Sequence, residues 1–127
     1  MTELTELTQR DRQRLAGVHP DLVRIVELAR TYADFVVTEG MRTTERQRQL
    51  VAAGASKTMN SRHLTGHAVD LAALVGKEVR WDWPLYDALG RAVKRAAAEC
   101  GVPITWGGDW PKFRDGPHFE LPWERYP

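Results

Sequence analysis

The chain has 127 residues, 43% hydrophobic and 28% charged, which is enough for one domain with its own core and too few for two ordinary ones. Eighteen lysines and arginines face 17 acidic residues for a net charge of +1, spread evenly along the chain. That balance provides no basic arm for nucleic acid and no acidic tail of a disordered activator. The single cysteine, Cys100, excludes an internal disulfide and a cysteine-rich metal site. No apolar run approaches the ~20 residues that cross a bilayer, and the opening Met-Thr-Glu-Leu-Thr-Glu-Leu has neither a positive leader nor an apolar stretch. A soluble monomer made in the cytoplasm without a signal peptide is expected.

Residues 2–15 are polar and arginine-rich, with only Leu4, Leu7 and Leu15 to bury, so a helix there is expected on the surface. His19-Pro20-Asp21 opens a better helix, with Pro20 in the first turn and Leu22, Ile25, Val26 and Ala29 at helical spacing, stopping near Tyr32. Phe35-Val36-Val37-Thr38 reads as a strand running into Gly40. Thr44-Glu45-Arg46-Gln47 has the form of a capping box for a short helix closed by Gly54, and residues 55–62 form a loop. Val69 and Leu71 alternate with Asp70 and Ala72, predicting a strand at about 67–73. Pro84 begins the clearest helix, with Leu85, Ala88, Leu89, Ala92, Val93, Ala96 and Ala97 on its apolar face and Gly101 at its end. Ile104-Thr105-Trp106 and His118-Phe119-Glu120-Leu121 are short strands around a glycine- and proline-rich loop. The expected class is α+β: a small, largely antiparallel sheet backed by helices in a single domain over residues 1–127.

Four histidines are candidates for chemistry. His19 precedes a helix start and reads as a cap or surface residue. His63 and His67 stand four apart, but the intervening Leu64-Thr65-Gly66 lacks the glutamate of a helical zinc-protease motif, and Gly66 is a poor helix former. A second reading pairs His63 with Asp70. Gly66 permits a sharp bend or a close backbone approach, Ala68 leaves room beside an ion, and the alternation turns Asp70 toward a cleft while its neighbours enter the core. One imidazole and one carboxylate are two of the three protein ligands of a catalytic zinc. Spacing alone leaves open ordinary loop hydrogen bonds for both. His118, opening a strand, can aim a ring nitrogen into the same space. Asp115, across a Gly-Pro turn, suits a general base or, equally, a simple turn residue. Arg42 follows a strand and Gly40 and could grip a carbonyl or carboxylate, or be one solvated arginine among many. Trp106 and Trp110 flank Gly107-Gly108-Asp109 either as a cleft wall or as core cover. Cys100 reads as packing.

Ser61-x-His63-x-x-Gly66-x-Ala68-x-Asp70, followed by Asp115-x-x-His118, resembles the zinc peptidases of bacterial cell-wall peptides. These include D-alanyl-D-alanine carboxypeptidases, dipeptidases and the L-alanyl-D-glutamate peptidases found as phage endolysins. The resemblance covers roughly residues 20–121, with Gly40-Met41-Arg42-Thr43, Trp106-Gly107-Gly108-Asp109-Trp110 and His118-Phe119-Glu120-Leu121 in family order. It implies His63, Asp70 and His118 as zinc ligands, Asp115 as the acidic catalytic residue, Arg42 as a stabiliser of substrate or transition state, and Ser61 and Trp106 as further substrate contacts. His67 falls between ligands, as a rim or supporting residue. Glu120, two residues after His118, is close enough to support the site. Asp115 and Phe119 stand where the carboxypeptidase branch has glutamate and tryptophan, which favours the endolysin-like branch. The implied activity is hydrolysis of peptidoglycan stem peptides at the L-alanyl-D-glutamate bond, with Zn2+ and no organic cofactor. The implied setting is the cell wall, reached by a lysin that accumulates in a host cytoplasm, without a wall-binding module and without membrane insertion. The rivals are a D,D-carboxypeptidase or dipeptidase of the same fold and a non-catalytic, zinc-stabilised wall-binding module.

Overall fold

Alternation along three strands gives the sheet two different faces, and the helices cover only one of them. The computed structural model describes residues 6–56 and 58–127; Leu4 lies outside them. Strand β1 (Phe35–Glu39) pairs antiparallel with β2 (Ala68–Val75), β2 with β5 (His118–Glu120), and β5 with β4 (Thr105–Trp106). The sheet order is β1-β2-β5-β4, with the two-residue β3 (Glu78–Val79) folded back on β2 across Gly76. Directly opposed pairs put Phe35 beside Ala73, Val37 beside Leu71, Val69 beside Phe119, and Phe119 beside Trp106. These residues make the core face. Each large apolar side chain buried there contributes about 1.5–3 kcal/mol.

Helix α2 (Pro20–Ala29) and helix α4 (Trp83–Cys100) pack on each other against this face. His19 caps α2, its Nδ1 accepting the Asp21 N–H at 3.0 Å, and Leu22, Ile25, Val26 and Ala29 are fully buried. The helix itself ends at Ala29, and backbone turns carry the chain on through Tyr32. In α4 the buried stripe is Tyr86, Leu89, Gly90, Val93, Ala96 and Ala97, rotated from the expected one: Ala88 is exposed and Ala92 only half-buried. The indole of Trp106 explains this, because a Cβ on Gly90 would stand 2.9 Å from it, so the helix approaches the sheet through its glycine. Cys100 packs against the core.

Two local expectations are corrected. Helix α1 (Gln9–Arg14) does more than lie on the surface: buried Asp11 accepts the Val37 N–H at 2.9 Å and Arg14 donates to the Val37 carbonyl at 2.9 Å. These bonds satisfy the free edge of β1 next to its bulge between Val37 and Glu39. Helix α3 (Thr44–Ala52) is capped by Thr43, whose hydroxyl accepts the Arg46 N–H at 3.0 Å. Gln47 therefore belongs to no capping box and is free to point inward.

Candidate metal centre and active site

The uncovered face of the sheet carries the polar residues of the same strands. Asp70 on β2 lies directly opposite His118 on β5, and Ala68 opposite Glu120. His63 joins them from a 3₁₀ turn (Arg62–Thr65), whose N-terminus is capped by Ser61: the Ser61 hydroxyl accepts the His63 N–H at 3.2 Å. Gly66, at φ +76°, ends that turn. A Cβ there would collide with the Gly17 carbonyl, so the close backbone approach expected of this glycine is realised.

His63 Nε2 and His118 Nδ1 each lie 3.3 Å from the same Asp70 oxygen. Among the described residues this is the cluster whose ligand atoms converge on one point, all within 4.8 Å of one another. The outer ring nitrogens are engaged as well. His63 Nδ1 donates to the Gly40 carbonyl at 2.8 Å, and His118 Nε2 to Glu120 at 2.7 Å. With the outer nitrogens so engaged, loss of the inner protons that Asp70 accepts in the metal-free chain would turn both inner lone pairs to the common point, as ligating histidines require. The donor set of two imidazoles and one carboxylate therefore fits a divalent metal ion.

The electrostatics follow from that crowding. Burial alone would raise Asp70, but its hydrogen bonds with His118 and His63 outweigh it and hold the carboxyl well below the usual carboxylate range. Burial alone would lower His118; bonds to Asp70 and Glu120 push it instead up to about 9. Asp115 is shifted upward, first by burial and then by the charge of Asp70, against the opposing pull of His118, His63 and Arg42.

The cluster sits in a cleft of about 790 Å³. One wall comes from Arg42, Arg46 and the loop after α3; the other is the segment from Trp110 to Asp115. Asp115 is half-buried, and no donor among the described residues reaches its carboxylate. Its backbone is fixed on both sides: its N–H donates to Gly107 at 3.0 Å and its carbonyl accepts the His118 N–H at 3.2 Å. Arg42 is clamped by Glu39 and by Gln47, the latter at 2.6 Å, while its buried Nε–H has no acceptor among the described residues. Ser61 lies within 3.5 Å of Arg42 on the same wall.

Trp106 is a correction. It pairs with Phe119 on the core face, donates its indole N–H to the Gly116 carbonyl at 2.7 Å, and is absent from the cleft lining. Trp110 takes the cleft position, its ring centroid 5.1 Å from that of His118. His67 is also off the rim: one residue out of phase with Ala68, it bonds Thr65 at 2.7 Å and lies beside His19 and Tyr126. Two contributors escaped the sequence reading. Gln47, fully buried on α3, ties Arg42 to Ser56 and to the Thr58 carbonyl, and Glu39 holds the other side of the guanidinium. The signal for Glu39 was available in Glu39-Gly40-x-Arg42, an acid three residues before an arginine that must be held.

Residues 4–121 match the family model described as phage L-alanyl-D-glutamate peptidase. The chain belongs to that family. It is 38% identical over 93 residues to the L-alanyl-D-glutamate peptidase of Listeria phage A118, a match covering 73% of this chain and 32% of that protein. The chain thus spans about a third of that relative's length. With the L-alanyl-D-glutamate peptidase of Escherichia phage T5 it shares 31% identity over 104 residues, covering 77% and 76% of the two chains. Among solved structures it is similar to the L-Ala D-Glu endopeptidase ChiX of Serratia marcescens, with a TM-score of 0.92 and 49% identity over 99% of this chain and 96% of that one. Membership accounts for the agreement between the sequence motifs and the converging side chains. Among the described residues, no helix is long and apolar enough to cross a membrane.

Proposed function

We propose that this chain is a zinc-dependent endopeptidase that hydrolyses the L-alanyl-D-glutamate bond of peptidoglycan stem peptides at the cell wall. The observation that carries the reading is the convergence of His63, Asp70 and His118 at the floor of a cleft that also holds the carboxylate of Asp115, which has no hydrogen-bond donor among the described residues. Ligand atoms about 2.0–2.2 Å from a tetrahedral zinc stand roughly 3.3–3.6 Å apart. The two separations of 3.3 Å to Asp70 match that spacing, within a set that lies inside 4.8 Å overall. When bound, zinc supplies Lewis acidity toward the scissile carbonyl and acidifies a water toward neutrality.

The chain's own groups do the rest. Asp115 takes a proton from the attacking water and returns it to the departing amine; its raised proton affinity, with no donor among the described residues on its carboxylate, suits that exchange. Arg42, oriented by Glu39 and Gln47, offers positive charge to the carbonyl oxygen or to a substrate carboxylate. Ser61 holds the turn that presents His63 and completes the wall beside Arg42.

The test is mass spectrometry of digested, purified peptidoglycan, with and without chelator. New L-alanine carboxyl ends and D-glutamate amino ends, lost on chelation and restored by zinc, are expected. Release of D-alanine alone overturns the bond assignment in favour of a D,D-carboxypeptidase; binding without any cleavage overturns the enzyme in favour of a wall-binding module.

A further inference from the structure

Beside the cleft lies a second hollow of about 190 Å³, lined by Trp81, Trp83, Tyr86, Gly116 and Pro117 and sharing Arg114 and Asp115 with the cleft itself. Its aromatic rings are held from behind and open in front. Tyr86 is buried, donates its hydroxyl to the Arg80 carbonyl at 2.8 Å and accepts the Ala73 N–H at 3.1 Å, so it is bolted to β2. Trp81 stacks on Tyr86 with an interplanar angle of 3°, yet remains 63% exposed. Trp83 is 42% exposed, with the Arg114 guanidinium 4.1 Å over its ring. A side chain at Gly116 would fill the hollow's floor, since its Cβ would stand 3.0 Å from Tyr86 and 3.3 Å from Trp83. Neither exposed indole N–H has an acceptor among the described residues.

We infer that this aromatic hollow is a saccharide subsite that binds the muramyl sugar carrying the stem peptide. The inference rests on the function proposed above. In peptidoglycan, L-alanine is the first residue of the stem and is amide-linked to the lactyl group of an N-acetylmuramyl ring. Alanine and lactyl together span two residue lengths, about 7 Å, so cleavage after this alanine brings a sugar ring close beside the reacting carbonyl. The hollow adjoins the cleft at Asp115 and Arg114, which line both. Its chemistry selects the same end of the substrate. The amidated muramyl unit is neutral and presents C–H faces to aromatic rings and hydroxyls to indole N–H groups. The D-glutamate side carries carboxylate, which the wall with Arg42 and Arg46 attracts, whereas at the hollow Arg114 and Asp115 offset each other and leave its aromatic surface to set the preference. Asp82 and Arg80, paired at 2.9 Å beside the two tryptophans, add polar groups at the rim.

The test compares two substrates: a disaccharide-tetrapeptide and the same tetrapeptide with an N-acetyl group in place of the sugars. Wild type is expected to cleave the glycosylated substrate with the higher kcat/KM. Trp81→Ala and Trp83→Ala should each lower that advantage roughly 3- to 10-fold, leaving the rate on the acetylated peptide unchanged, and Trp81→Phe should retain most of it. An unchanged substrate ratio in both alanine variants overturns the subsite, as does an equal loss on both substrates. A second readout is independent of catalysis: the indole resonances of Trp81 and Trp83 are followed in ¹⁵N NMR while the free GlcNAc–MurNAc disaccharide is added. Saturable shifts at both support the subsite, and their absence overturns it. A wild-type protein that binds the disaccharide yet cleaves neither peptide refutes the proposed function and not the subsite.

Discussion

Gly66 and Gly54 form a matched pair that isolates what the close approach beneath the candidate metal centre is worth. Both hold φ at +76°, where an L-residue costs about 1–2 kcal/mol. A Cβ on Gly54 meets nothing within 4 Å, whereas a Cβ on Gly66 collides with the Gly17 carbonyl and stands 3.5 Å from Val18 Cα. The segment cannot retreat freely, because the Gly66 carbonyl accepts the His19 N–H at 2.8 Å and His19 is the cap of α2. Retreat forfeits a hydrogen bond worth about 0.5–1.5 kcal/mol and weakens a cap worth about 1 kcal/mol. Gly54→Ala should therefore destabilise by about 1–2 kcal/mol and Gly66→Ala by about 2.5–4.5 kcal/mol. Urea unfolding of the metal-free proteins, with chelator present, measures both. Chelator competition should then show weakened metal binding only in Gly66→Ala, since that glycine closes the turn carrying His63. Destabilisations equal within about 0.5 kcal/mol would refute the reasoning, leaving the left-handed backbone as the only penalty.

Three further outcomes are expected. Asp115→Asn should fold, keep its metal and lose about 10²–10⁴-fold in peptidoglycan hydrolysis at demonstrated metal saturation; a near wild-type rate would move the proton acceptor elsewhere, Glu120 first. Glu120→Gln should weaken metal affinity about 10–100-fold by loosening the ring of His118, and equal affinities in a chelator competition would show that the 2.7 Å bond does not orient the ligand. Because His118 in the metal-free chain is raised to about 9, its proton competes with the metal below that pH. Affinity should thus rise with pH, roughly tenfold per unit from 6 to 8 from this group, and a flat profile by competitive titration would contradict it.

The parity of short strands decided what could be read from the sequence. The alternation around Asp70 and the step from His118 to Glu120 place these three polar residues on one face however long the strands are. Spacing left their roles open, and it was the resemblance that grouped His63, from a turn, with Asp70 and His118 as expected ligands. The place of Trp106 was not legible, because its side of the sheet depends on the register of β4 against β5, and the segment from Gly107 to Pro117 sets that register. Gln47 and Asp11 escaped for a related reason: a polar residue on a short helix reads as solvated, and only a distant guanidinium or an unpaired strand amide makes its burial favourable. The rotation of α4 came from the Trp106 indole resting on Gly90, a contact between residues far apart in sequence. The same parity joins function to stability. A one-residue slip of β5 would turn Phe119 out of the core and His118 away from Asp70 together. The core face therefore enforces the register that the proposed ligands need. An ion bound between Asp70 and His118 in turn favours the register that buries Phe119, because it binds the folded pairing and not the slipped one.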